Sequence, residues 1–193
     1  MKKRLLESSE TQAIVKGIIL LTLIFGFNDG AKEFIFTNWL TNLFLVFLIV
    51  SLISLVFIVG MKLAANYYGT EIKIKVWNSQ KFKEAKTIAK KTLLVYSTPI
   101  LNILVMFLTK GKFYMANILT FDVKKEVLGK KFPYLSYLNI SLIVFFGLIF
   151  NLVLMWIFKL FGLELGLKIS FWFILFNLIP ISELPGAKLI AGN

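Results

Sequence analysis

The chain has 193 residues, 58% of them hydrophobic and 16% aromatic, with a mean hydropathy of +0.81 and a net charge of +12. That apolar content excludes an ordinary soluble domain, and the scatter of lysines between apolar runs excludes a folded basic face for nucleic acid. The absence of cysteine and histidine removes disulfides, thiol nucleophiles, the commonest metal ligand and the usual neutral-pH general base.

The first apolar run, 13–27, is interrupted only by Lys16, and Asn28-Asp29-Gly30 ends it as a turn. The Lys16 stem is long enough to return its charge to the headgroups. A basic start, Met1-Lys2-Lys3-Arg4, precedes the run, but no small-residue cleavage pattern follows it. The run therefore reads as a retained helix. The second run, Trp39 to Met61, is the strongest, with Asn42, Ser51 and Ser54 as its main polar interruptions. A third, 92–109, is weaker and contains Tyr96, Ser97, Thr98, Pro99 and Asn102. Residues 138–158 form a fourth run and 165–181 a fifth. Several of these reach the roughly 20 residues that a helix needs to cross a bilayer. No linker, low-complexity tract or repeat divides the chain, so 1–193 reads as a single membrane-embedded domain.

Between the runs, Glu71-Ile72-Lys73-Ile74-Lys75-Val76 alternates charged and β-branched residues, as a half-buried strand does. The basic stretch after it, with Trp77 and Phe82, reads as an interfacial helix on anionic lipid headgroups. Residues 110–123 alternate in part. They fit a short strand or hairpin, whose edge an extended peptide is able to pair with. They fit equally an interfacial loop anchored by Phe113 and Tyr114.

Segments 1–12, 62–91 and 110–137 carry three, eight and six Lys/Arg, whereas 28–38 and 159–168 carry one and two. If 92–109 enters the membrane and returns, all three rich segments share the cytoplasmic side and both poor ones lie outside, as the positive-inside rule favours. Hydropathy alone also allows 92–109 to span. The expectation is an all-α polytopic membrane protein of four to five transmembrane helices, with a re-entrant or interfacial segment, a short β element and both termini cytoplasmic.

Three segments carry a family resemblance. Phe57-Ile58-Val59-Gly60-Met61-Lys62-Leu63-Ala64-Ala65-Asn66-Tyr67-Tyr68-Gly69 ends the second run. It resembles the zinc-site helix of the site-2 protease family of intramembrane metalloproteases. That helix reads His-Glu-x-x-His, often continued as Lys-x-x-Ala-x-x-Tyr-Gly. Lys62, Ala65, Tyr68 and Gly69 match the continuation and set a register in which Phe57 and Met61 stand at the histidines and Ile58 at the glutamate. Ligands four apart share one helix face, and the glutamate would activate zinc-bound water. None of the three residues here is able to do either.

Gly147-Leu148-Ile149-Phe150-Asn151-Leu152 is similar to the family's Gly-Pro-x-x-Asn-Leu, with Leu148 at the proline. Asn177-Leu178-Ile179-Pro180-Ile181-Ser182-Glu183-Leu184-Pro185-Gly186 resembles Asn-x-x-Pro-x-x-x-Leu-Asp-Gly, with Pro185 at the aspartate that completes the zinc site. The motifs keep family order over about residues 40–190.

The resemblance implies a membrane pseudoprotease without metal, cofactor or peptidase activity. Such a protein would bind the transmembrane segments of other membrane proteins, while its lysine-rich segments meet anionic lipid headgroups. Phe57, Ile58, Met61 and Pro185 would be vestigial active-site positions. Asn151, Asn177, Pro180 and Gly186 are the candidate cleft residues. Asparagines in such helices also make helix–helix hydrogen bonds, worth about 0.5–2 kcal/mol. Two alternatives stand beside this. One is an enzyme with relocated chemistry, in which Glu183 and Lys188 activate Ser182. The other is a small transporter or channel, which would need facing charges at mid-membrane.

Overall fold

Helix α1 (Ser8–Gly26) and helix α2 (Phe36–Tyr67) form an antiparallel pair, because Gly26 abuts Leu43 at one end while Glu10 meets Lys62 at the other. The structure is a computed structural model and describes residues 8–28, 30–31, 33–77, 97–109, 111, 114–116, 118–124, 136–180 and 184–191. With 32 residues, α2 is about 48 Å long, more than the roughly 30 Å of a bilayer core. Its end is a Schellman cap. Gly69 takes φ 73°, Gly69 N–H donates to Asn66 O, and Thr70 N–H donates to Ala65 O. The chain is thereby turned directly into strand β1 (Glu71–Val76).

β1 pairs antiparallel with strand β2 (Leu119–Lys124), with Ile74 opposite Phe121. Ile72, Ile74, Leu119 and Phe121 are buried, and Leu119 lies against Gly17 in the middle of α1. The stretch between the strands contains helix α3 (Ser97–Leu108), which ends with Phe107 edge-on to Phe27. Gly111 then abuts Asn28, at the α1 end remote from β1. Residues 114–118 lead back to the sheet, where Trp77 N–H donates to Ile118 O at 2.7 Å. The chain therefore leaves the sheet, reaches the opposite end of α1 and returns.

Helix α4 (Tyr137–Leu160) starts with Ser136 Oγ accepting from Asn139 N–H. It ends in a second Schellman cap at Gly162, φ 67°, with Leu163 N–H donating to Phe158 O. That tight connection folds helix α5 (Glu164–Leu178) back along α4, with Gly166 against the Phe158 ring. Helix α6 (Pro185–Ile190) then turns across the sheet-side end, where Leu189 O accepts from Ser141 Oγ and Phe121 O accepts from Lys188 Nζ.

Among the described residues three helices, α1, α2 and α4, are long and apolar enough to cross a membrane. Their outward residues, such as Phe44, Leu48, Leu52, Leu55, Val153 and Trp156, are exposed and apolar, which a water-soluble surface does not present in such rows. This is a mostly helical membrane protein with one small two-stranded sheet. Runs 92–109 and 165–181 yield described helices of only 12 and 15 residues. The interfacial loop expected at Tyr114 is not found for that residue. Tyr114 is buried and stacked on Phe25 at 5.2 Å. Trp77 is likewise buried, extending β1 instead of lying on headgroups. The expected interfacial helix with Phe82, the Phe113 anchor, Ser182 and Glu183 lie outside the described residues.

Candidate functional site

The four positions that the resemblance marks fall on two elements. Phe57, Ile58 and Met61 are on the buried face of α2, at 0%, 3% and 1% exposure. Pro185 is buried as the first residue of α6. What fills the space beside them is backbone. A Cβ on Gly147 would lie 2.6 Å from Met61 Cγ and 2.9 Å from Phe57 Cε2, and a Cβ on Gly60 would lie 3.1 Å from Gly147 Cα. Both glycines let α2 and α4 approach to direct backbone contact, as small residues do between membrane helices. The side chains of Phe57 and Met61 thus occupy the seam itself. Phe57 also meets Phe173 of α5 edge-to-face, with centroids 5.4 Å apart, a favoured aromatic geometry.

Phe173 links this cluster to the third motif. Its carbonyl accepts from Asn177 Nδ2 at 2.8 Å, and Asn177 is buried. This is a bond within one helix. Three residues on, Pro180 ends the segment exposed. Gly186 then packs onto the carbonyls of Leu178 and Ile179, where a Cβ would come within 2.5 Å of either oxygen. Only glycine allows α6 to fold back so closely on the end of α5. The structure therefore gathers Phe57, Met61, Gly147 and Phe173 into one cluster, with Asn177 bonded to its edge and Gly186 closing the turn beyond. Pro180 stands apart at the surface.

Asn151 is one turn from Gly147 on α4. It is fully buried, and neither its Oδ1 nor its Nδ2 has a hydrogen-bond partner among the described residues. Ser54 Oγ, one turn from Phe57 toward the start of α2, and Ser170 Oγ, one turn from Phe173 toward the start of α5, are buried and unpartnered too. Native interiors leave few polar atoms in that condition. At zero exposure Asn151 opens onto no cleft.

A second constellation holds the sheet. Glu10 is 4% exposed, and its carboxylate lies 2.7 Å from Lys62 Nζ while accepting from Ile74 N–H at 3.1 Å. Lys62 therefore belongs to α2 and to this ion pair, not to a solvated segment beyond the helix. Across the sheet, Lys188 donates to Phe121 O, stands 3.5 Å from Thr120 Oγ1 and lies 3.9 Å from the centroid of the Phe121 ring. Its charge is committed to β2. Glu10 is the residue that sequence reasoning missed. The signal was present, because residues 10, 14, 17, 18, 21, 24 and 25 form the buried stripe of α1 and the acid stands in that register.

Fold and sites together define a helical membrane protein whose small sheet is held by buried charge. Comparison of the chain with protein-family models, curated proteins and solved structures finds no match.

Proposed function

We propose that the protein is a non-catalytic relative of the site-2 proteases, with their fold and without their zinc site, that binds transmembrane segments of other membrane proteins. The observation that carries this is the meeting of the motifs. Phe57 and Met61 stand on Gly147 of the second motif, and Phe57 touches Phe173, whose carbonyl holds Asn177 of the third. Segments that resemble the family only in sequence would have no reason to converge. In the same layout α1, α2, α4 and α5 span, α3 belongs to the re-entrant element, and both termini are cytoplasmic. The support is that β1, β2, the start of α1 and α6 share one end of the bundle, the end where the lysine-rich segments attach.

The register is tested by rebuilding the ligands. The F57H/M61H/P185D variant, purified in detergent and dialysed, is expected to retain about one zinc per chain by elemental mass spectrometry, whereas the parent retains none. A folded variant without zinc would break the family assignment. Binding is tested separately with photo-crosslinking residues at Phe150, exposed beside the Gly60–Gly147 seam, and at lipid-facing Leu48. Single-span membrane proteins captured at Phe150 and not at Leu48 are the expected result. Equal capture at both would remove the binding role and leave the fold assignment standing.

A further inference from the structure

The end of the bundle opposite the sheet carries a crevice of about 460 Å³ between α1, α2, α5 and the chain at Tyr114. Phe25 and Trp172 form apolar walls, and Asn28, Asn42 and Lys168 bring polar groups to it. Lys168 lies one turn inside α5, about 6 Å beyond its first residue, on a helix that is otherwise almost wholly apolar. Its Nζ stands 5.3 Å from the centroid of the Tyr114 ring, and no carboxylate among the described residues lies within ion-pair reach. Asn42 is half-buried on α2, and no hydrogen bond to it is found among the described residues. Two polar side chains thus converge on one crevice, Lys168 with the Tyr114 ring beneath its charge. Lys62 and Lys75, by contrast, are each 2.7 Å from a carboxylate.

A lysine exposed at the rim of a crevice, with an aromatic face and no carboxylate beside it among the described residues, offers its charge to an anionic ligand. The ligand must bring negative charge, accept from an amide and tolerate aromatic walls. A phosphate ester meets the first two demands, since lysine binds phosphate as a point charge and an asparagine amide donates two N–H bonds. Tyr114 and Trp172, 6.1 Å apart, are of the type that sits at headgroup level. We propose that this crevice binds the phosphate of a phospholipid from the leaflet at that end, with Lys168 Nζ and Asn42 Nδ2 on the phosphate oxygens and Phe25 and Trp172 against the glycerol end of the acyl chains. The site is independent of the Phe57 cluster and of the function proposed for it.

Calorimetric titration of the full chain in dodecylmaltoside with dihexanoyl-phosphatidylglycerol, dihexanoylglycerol and inorganic phosphate tests it. Saturable binding of the phosphatidylglycerol is expected, weakened about tenfold or more in K168M, about threefold in N42A and little in K168R. Inorganic phosphate that binds as tightly, with the same K168M loss, would overturn the lipid as the occupant. Phosphatidylglycerol affinity unchanged in K168M, or equal affinity for the phosphate-free diglyceride, would overturn the site. If K168M does not fold, unchanged affinity in N42A overturns it instead.

Discussion

The sheet-side end sets charged side chains on strand backbone, although Trp77 Nε1 there is buried without a partner among the described residues, whereas the helical interior holds only uncharged polar side chains. At the sheet, Ile74 and Phe121 face each other in register, and the outward N–H of one and the outward C=O of the other are met by opposite charges, Glu10 and Lys188. One rung of a two-stranded sheet is thus held at one backbone group on each edge. In the α2–α4–α5 interior, the side chains of Asn151, Ser54 and Ser170 have no hydrogen-bond partner among the described residues, while Phe57 and Met61 pack on Gly147 and Phe57 on Phe173. The difference follows from backbone. A helix satisfies its own N–H and C=O groups, but strands at membrane depth need partners from elsewhere. Charge at the sheet therefore serves strand backbone, whereas polar side chains of the helical interior either bond within their own helix, as Asn177 does to Phe173 O, or have no partner among the described residues.

The largest effect should come from the interior's packing. F57A removes a fully buried ring from the Gly147–Phe173 cluster and is expected to cost about 3–4 kcal/mol, read as a shift in reversible unfolding in mixed micelles. Next is the sheet. E10A strands Ile74 N–H and leaves Lys62 unpaired, for about 2 kcal/mol, moderated because Lys62 is partly solvated. Amide exchange should quicken at Ile74 and its neighbours in β1 more than in α4. If α4 loosens equally, the sheet is not a separate unit. K188M should cost about 1 kcal/mol through the Phe121 carbonyl, with faster exchange confined to β2. The smallest effect is the most discriminating. N151L replaces an unsatisfied buried amide by an apolar side chain of similar size and is expected to be neutral or stabilising by up to about 1 kcal/mol. A loss above that would show that Asn151 holds a bound water or client, and the contrast between the two interiors would have to be redrawn.

Much of the architecture was legible. The apolar runs became helices because roughly 20-residue stretches of Leu, Ile, Val and Phe have few other ways to satisfy backbone in lipid. The alternation at Glu71–Val76 became β1 because side chains on a strand alternate faces. Gly69 and the Asn28–Gly30 turn ended helices where a left-handed residue was available. Less legible were the partners. Residues 110–123 carried the pattern of a strand without saying what it would pair with. Tyr114 and Trp77 looked like headgroup anchors, because an aromatic flanked by lysines reads the same whether it meets lipid or protein.

Composition and periodicity, by themselves, pointed to a membrane protein and to the stretches that its long helices occupy, whereas the places of Phe57, Met61 and Pro185 as ligand-equivalent positions rest on the resemblance to the site-2 proteases alone. The former are properties of short windows, set by hydrophobic transfer and local backbone geometry. Tertiary structure alone decided that Glu10 reaches across 64 residues to Ile74, that Lys188 joins β2 to α6, and that Lys168 and Asn42 share a crevice. These pairings depend on which faces meet once the helices pack. A lone charge in an apolar stripe announces that it needs a partner, but only the packed bundle determines which one it gets.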